Sequence, residues 1–221
     1  MCHAFTQRLI VFCERRAITA DVGECEPMAA CDRRNPHARY LAALPQSDGG
    51  GMMAAPMSPQ ERLVHRELLE DVTQFVYQEA RLQDNHDYDA WEALWTDDGI
   101  YWIPANGEGT DPDNEMSIIY DNRSRIALRV KQFHTGKRFS QTPQSRLRRL
   151  VSNIEILSSE GEEVVVTANA MVFESATRGD QIWASRNEYR LRREGGAFRM
   201  AGKKVILVNN EKPLWTLSFL I

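Results

Sequence analysis

The stretch Phe75–Pro104, FVYQEARLQDNHDYDAWEALWTDDGIYWIP, decides the fold. Leu69, Val72, Val76 and Ala80 recur at helical spacing, and Phe75 and Leu82 widen that apolar stripe. The polar run Gln83-Asp84-Asn85-His86 interrupts it. Asp87 is placed to cap a second helix whose inner face carries Ala90, Trp91, Leu94 and Trp95. Asp97-Asp98-Gly99 is expected to end that helix, with glycine supplying a left-handed turn. Ile100–Ile103 is aromatic and β-branched, which predicts a strand, and Pro104 stops it.

Upstream, Ser58-Pro59-Gln60-Glu61 forms a capping box: the serine hydroxyl accepts an amide and Glu61 reaches back. Proline suits the first helical position. The helix is predicted to run to about Leu82, with a break near His65-Arg66. Residues 1–57 lack sustained periodicity and end in Gly49-Gly50-Gly51, which reads as a disordered or loosely attached extension. Met52, Met53 and Met57 are the expected natural starts, with the rest upstream of them. All four cysteines, Cys2, Cys13, Cys25 and Cys31, fall in this extension without a C-x-x-C pair, so free thiols are expected and not zinc. The 221 residues bound one domain plus an appendage. A net charge of −4 argues against a nucleic-acid partner. No apolar run approaches the roughly 18 residues of a membrane span. Leu9–Cys13 is too short, and too soon followed by Glu14-Arg15-Arg16, for a signal peptide, so a cytoplasmic protein is expected.

Downstream of Pro104 lies a polar loop, then the apolar run Met116–Tyr120. Asp121 or Asn122 caps a third helix with Ile126, Val130 and Phe133 on one face, and Gly136 closes it. Arg123, Arg125, Arg129 and Lys131 are expected on its solvated faces. From Arg146 the period becomes two. Strands are predicted over Leu150–Leu157, Val164–Ser175, Gln181–Arg193 and Phe198–Asn209, joined by turns at Gly161, Gly179 and Gly195-Gly196. Val164, Val166, Ala168, Ala170 and Val172 share one side of the second of these. The tail Leu214–Ile221 is apolar. Helices first and a meander after define an α+β domain over 58–221, its curved antiparallel sheet wrapping the N-terminal helices into a cone.

This order of elements resembles the cone-shaped, cystatin-like fold of the nuclear transport factor 2 superfamily. Within it, the body resembles the small, or β, subunit of Rieske-type aromatic-ring-hydroxylating dioxygenases. The resembling segments are Tyr77–Leu82, Tyr88-Asp89-Ala90-Trp91 and Asp97–Pro104, then Tyr120-Asp121-Asn122-Arg123, Arg129-Val130, Thr135-Gly136, Ser145-Arg146 and Val151-Ser152-Asn153. Gln83-Asp84-Asn85-His86 departs from the Leu-Asp-rich turn usual at that place. The resemblance implies a hetero-oligomer, with a trimer of this chain in an α3β3 hexamer. It implies dihydroxylation of an aromatic compound with O2 and with electrons from NAD(P)H through a reductase and ferredoxin.

A Rieske [2Fe-2S] cluster needs two cysteines and two histidines at close spacing, and no Cys-x-His or Cys-x-x-His pair occurs. Mononuclear iron of this class needs two histidines and a carboxylate, and His65, His86 and His134 share no ligand-like spacing. No metal and no cofactor is therefore expected on this chain, and the resemblance puts both irons on the α subunit. His86 is expected exposed in its turn; His134 suits a helix C-terminus as a cation. Two other readings stand beside the subunit. One is a non-enzymatic binding module. The other is a self-contained isomerase or dehydratase using Asp87, Tyr120 and His134, in which one group moves a proton and another stabilises an oxyanion. For a scaffold subunit, the interface candidates are Tyr101, Trp102, Arg146 and Arg148, since aromatics and arginines anchor interfaces.

Overall fold

A computed structural model of the chain describes residues 57–221. The extension expected over 1–57, its cysteines and the starts at Met52 and Met53 lie outside the described residues, Met57 apart. Helix α1 spans Pro59–Asp84 without a break at His65-Arg66. Its capping box is complete: Glu61 N donates to Ser58 Oγ at 3.2 Å, and Ser58 N donates to Glu61 Oε2 at 2.6 Å. The short helix α2 follows over Tyr88–Glu92, with Asp87 Oδ1 accepting from Ala90 N at 3.3 Å. Strands β1 (Trp95–Pro104) and β2 (Ser117–Asn122) form an antiparallel pair. Asn122 then caps helix α3 (Arg123–His134) through Arg125 N. Strands β3 (Arg146–Glu160), β4 (Glu163–Ala176), β5 (Gly179–Glu194) and β6 (Ala197–Leu207) make the meander that period two predicts.

One six-stranded sheet results, in the order β2-β1-β6-β5-β4-β3. It is not wholly antiparallel, because β1 pairs with β6 in parallel. The meander returns to the far side of β1, and β6 then runs in the same direction as β1. A second correction concerns Asp97-Asp98-Gly99. These residues do not stop a helix; they bulge within β1, between the Trp95↔Met200 and Ile100↔Gly202 pairings. Gly99 lacks a positive φ, and its role is space: a Cβ there would lie 2.8 Å from Trp95 Cε3 and 3.1 Å from Thr96 O. Thr96 Oγ1 donates to Asp98 Oδ1 at 2.7 Å, and Asp98 takes both guanidinium nitrogens of Arg192 at 3.0 and 3.1 Å. The Asp98 carboxylate is therefore spent on the bulge's own turn and on β5.

Burial follows the two periods. Val72, Phe75, Val76 and Ala80 of α1 are buried, as are Val164, Val166, Ala168, Ala170 and Val172 of β4. These faces meet Trp91, Trp95, Tyr101, Tyr189 and Leu191 in one apolar cluster. The tail after Lys212 is neither helix nor strand, yet Phe219, Leu220 and Ile221 are buried in the same cluster. Of the cationic side chains of α3, Arg125 and Lys131 are exposed as their pattern predicts, whereas Arg123 and Arg129 are partly buried. Arg123 pairs with Glu92 at 2.7 Å, Arg129 pairs with Asp121 at 2.6 Å, and Arg125 donates to Tyr120 O at 3.1 Å.

Candidate functional site

In a cone of this kind the interior is the place to look for chemistry. Here α1 turns Glu79 and Gln83 inward along with its apolar stripe, and β6 turns Lys203 inward opposite them. Lys203 Nζ donates to Glu79 Oε1 at 2.7 Å. The same oxygen accepts from Trp91 Nε1 at 2.8 Å. Lys203 also stands 5.5 Å from the centre of the Tyr189 ring, a cation–π contact. All of these side chains are essentially sealed from solvent. Burial pushes the Lys203 ammonium below its ordinary range, against the pull of Glu79. Burial pushes the Tyr101 and Tyr189 phenols up. The α1 stripe carries the signal for this polar group: Glu79 and Gln83 continue the 72–76 face by steps of three and four.

The tail closes over this interior. Tyr101 Oη donates to Ile221 O at 2.6 Å and accepts from Ile221 N at 3.2 Å. Arg149 donates to Leu220 O and pairs with Asp84. Glu174 accepts from Ser145 Oγ at 2.6 Å, from Ser218 Oγ at 2.9 Å and from Trp183 Nε1 at 3.0 Å, with Arg178 beside it. Burial alone raises that carboxyl, but these donors and the Arg178 cation hold it below the ordinary carboxylate range.

The residues of the isomerase reading are spent elsewhere. Asp87 caps α2. His134 Nε2 meets Asp89 Oδ1 at 2.8 Å, with the imidazole half exposed. Tyr120 sits on β2, its ring edge-on to Trp102, and burial with Asp113 and Asp111 nearby pushes its phenol up to about 12. His86 is half-buried and not exposed as its polar turn predicts. At φ 58 its ring Nε2–H donates to Ser145 O at 2.9 Å, and Nδ1 accepts from the Tyr88 hydroxyl at 2.7 Å. Tyr101 and Trp102 are 0% and 1% exposed, so neither stands at the surface as an interface anchor. Their β1 positions lie in the middle of the sheet between β2 and β6, and Trp102 donates to Ser117 Oγ at 2.9 Å. Arg146 and Arg148 do lie exposed on β3. The described histidines are dispersed, and no described group of three or more His, Cys, Asp or Glu side chains fits a Rieske cluster or a mononuclear iron.

The family description "Ring hydroxylating beta subunit" matches residues 78–211. The chain belongs to this family of β subunits of aromatic-ring-hydroxylating dioxygenases, whose small components are non-catalytic and work with an α subunit. It is 30% identical to the small oxygenase component of the p-cumate 2,3-dioxygenase system of Pseudomonas putida, over 62% of this chain and 77% of that one. It is 29% identical to the anthranilate 1,2-dioxygenase small subunit of Acinetobacter baylyi, over 63% and 89%. The crystal structure of the benzoate 1,2-dioxygenase β subunit of Burkholderia mallei superposes with a TM-score of 0.56 at 26% identity, covering 64% of this chain and 91% of that one. The cone-shaped, nuclear transport factor 2-like fold expected from the segments 77–82 to 151–153 therefore holds.

Two predictions follow from the interior. Lys203→Met leaves the Glu79 carboxylate buried and unpaired, and costs about 3–5 kcal/mol in a urea melt. Adding Glu79→Gln removes the charge while keeping an acceptor for Trp91, so the double variant melts later than the single one; additive losses would contradict this pairing. For Glu174, the lowered carboxyl contributes stability that is complete above about pH 4.3, the unfolded value. That contribution is lost as pH falls through the lower folded value. Glu174→Gln is expected to cost about 2–4 kcal/mol at pH 7. Its stability then falls less steeply below about pH 4.3 than the wild type's; parallel acid limbs would contradict the assignment.

Proposed function

We propose that this chain scaffolds an iron-bearing α subunit and supplies no catalytic side chain of its own. The α subunit carries the Rieske [2Fe-2S] cluster and the mononuclear iron. It adds both atoms of O2 to an aromatic ring with electrons from NAD(P)H through a reductase and ferredoxin, in the cytoplasm. The assembly is an α3β3 hexamer with trimers of each chain stacked. The observation that carries this reading is the filled interior. Trp91, Tyr101 and Tyr189, the Glu79–Lys203 pair and the Phe219–Ile221 tail occupy the place where an enzyme of this fold must hold a substrate. Support for the substrate class comes from the relatives, named for p-cumate and anthranilate, and from a structural neighbour named for benzoate. All three are ring carboxylates, which supports a ring carboxylate as the substrate of the holoenzyme.

The test is co-expression with the α chain that co-purifies with it, followed by O2 uptake and product analysis on benzoate-type acids and on naphthalene. The expected result is diol formation from a ring carboxylate by the complex, none by this chain alone, and all iron on the α chain. Turnover by the isolated chain, or stoichiometric iron bound to it, would overturn the reading.

A further inference from the structure

We propose that the cleft between the last turns of α1 and the edge of β3 is a binding site for an aromatic ring carboxylate. The assignment rests on the substrate class proposed above and gives that class a recognition site on this chain. Strand β3 is an edge of the sheet. In an antiparallel edge strand, alternate residues turn both N–H and C=O away from the neighbouring strand. The end of α1 already supplies partners for this edge. Asp84 Oδ2 accepts from Arg149 N at 2.9 Å, and its other oxygen meets the Arg149 guanidinium. His86 Nε2 donates to Ser145 O at 2.9 Å. Arg148 Nη1 curls around the strand to donate to Leu147 O at 2.9 Å. The edge thus holds one carboxylate by a backbone amide and a guanidinium together, and charge-assisted hydrogen bonds of this kind are the strong ones.

Beside that carboxylate stands a second set of donors of the same kind. Arg81 of α1 and Arg148 of β3 line a cavity of about 500 Å³ next to the Asp84–Arg149 pair. Both are exposed, and neither forms an ion pair with a described residue. Arg149 offsets Asp84, the acid in the lining, so the cavity keeps two cations in excess. Val151, two residues after Arg149, turns its amide to the same edge. The opposite wall is apolar: Tyr77 is 44% exposed and Leu150 72%. Inorganic phosphate would satisfy the arginines and leave this wall wet, and a neutral ring would leave the arginines without an acid. A ring carboxylate answers both, its oxygens on the guanidinium groups and the Val151 N–H, its ring against Tyr77 and Leu150. The caps on Ser145 O, Leu147 O and Arg149 N close this part of the edge to an added strand, which favours a small anion over an extended peptide. A few polar groups converging on an apolar cavity of this size are the common form of a small-molecule site.

Calorimetric titration of the full chain with benzoate, inorganic phosphate and benzamide tests this. Benzoate binds once per chain, shifts the Val151 amide resonance, and binds more tightly than either of the others. Arg81→Gln and Arg148→Gln each weaken it about tenfold or more, the loss expected for one charge-assisted hydrogen bond. Arg125→Gln, on the exposed face of α3, leaves it unchanged. Denaturant melts of the Arg81 and Arg148 variants match the wild type, since both side chains are exposed. No saturable binding of benzoate, phosphate or benzamide binding as tightly, or Arg81 and Arg148 variants that bind like the wild type would overturn the inference. A complex with the α subunit that forms a diol from benzoate, while this chain binds none, overturns the inference and leaves the proposed function intact. Benzoate bound here as described, with a complex that oxidises naphthalene and no ring carboxylate, keeps the site and strikes the substrate class instead.

Discussion

The ion pair between Lys203 and Glu79 is the contact on which the interior depends. It joins the C-terminal part of α1 to the strand β6, 124 positions later in the chain, and Trp91 of α2 joins it through the same carboxylate oxygen. Two charges without solvent are costly to bury, by several kcal/mol each after relaxation, and their attraction offsets this when geometry and extra hydrogen bonds are good. Here a 2.7 Å contact, an indole donor and the face of Tyr189 supply those terms. The pair has one satisfactory arrangement, and it fixes the register of the helix against the sheet. The aromatic edge contacts of Trp91 with Trp95 and Tyr101, 5.4 and 5.8 Å between centroids, then follow. The tail closes on Tyr101 and Arg149 above them.

A cone filled in this way has its function on the outside. Polar groups that could serve acid–base chemistry are committed: Glu79 to Lys203 and Trp91, Glu174 to two serines and an indole, His86 to a tyrosine hydroxyl and a carbonyl. A ring-hydroxylating β subunit needs a rigid body that presents defined surfaces, and a closed interior provides that rigidity. The strands β3–β5 present apolar side chains outward where a solvated sheet would alternate to polar ones.

Much of this was legible in the amino-acid order. Period two from Arg146 onward and glycines at the turns located the meander, and Gly161, Gly179, Gly195 and Gly196 all adopt positive φ there. The capping box and the stripe from Val72 to Ala80 located α1. What escaped depends on partners far away in sequence. Glu79 and Gln83 fall on the apolar face of α1 by spacing, but the helix alone does not show what they pair with until Lys203 is placed opposite them. Tyr101 and Trp102 look like exposed anchors until β6 is inserted beside β1. Asp97-Asp98-Gly99 carries the composition of a helix stop, but pairing with β6 and Arg192 makes it a bulge. His86 departs from its expectation for the same reason, because its acceptor Ser145 lies 59 positions away.

The central claim is that the interior is sealed around the buried pair. Hydrogen exchange of the Trp91 indole N–H, followed by NMR, tests it most directly, since that proton sits on Glu79 at the heart of the cone. In a sealed interior it exchanges only through global unfolding, with an opening free energy equal to that from denaturant melts. Exchange through small local openings, indifferent to denaturant, would mean that solvent enters the cone and would contradict the account.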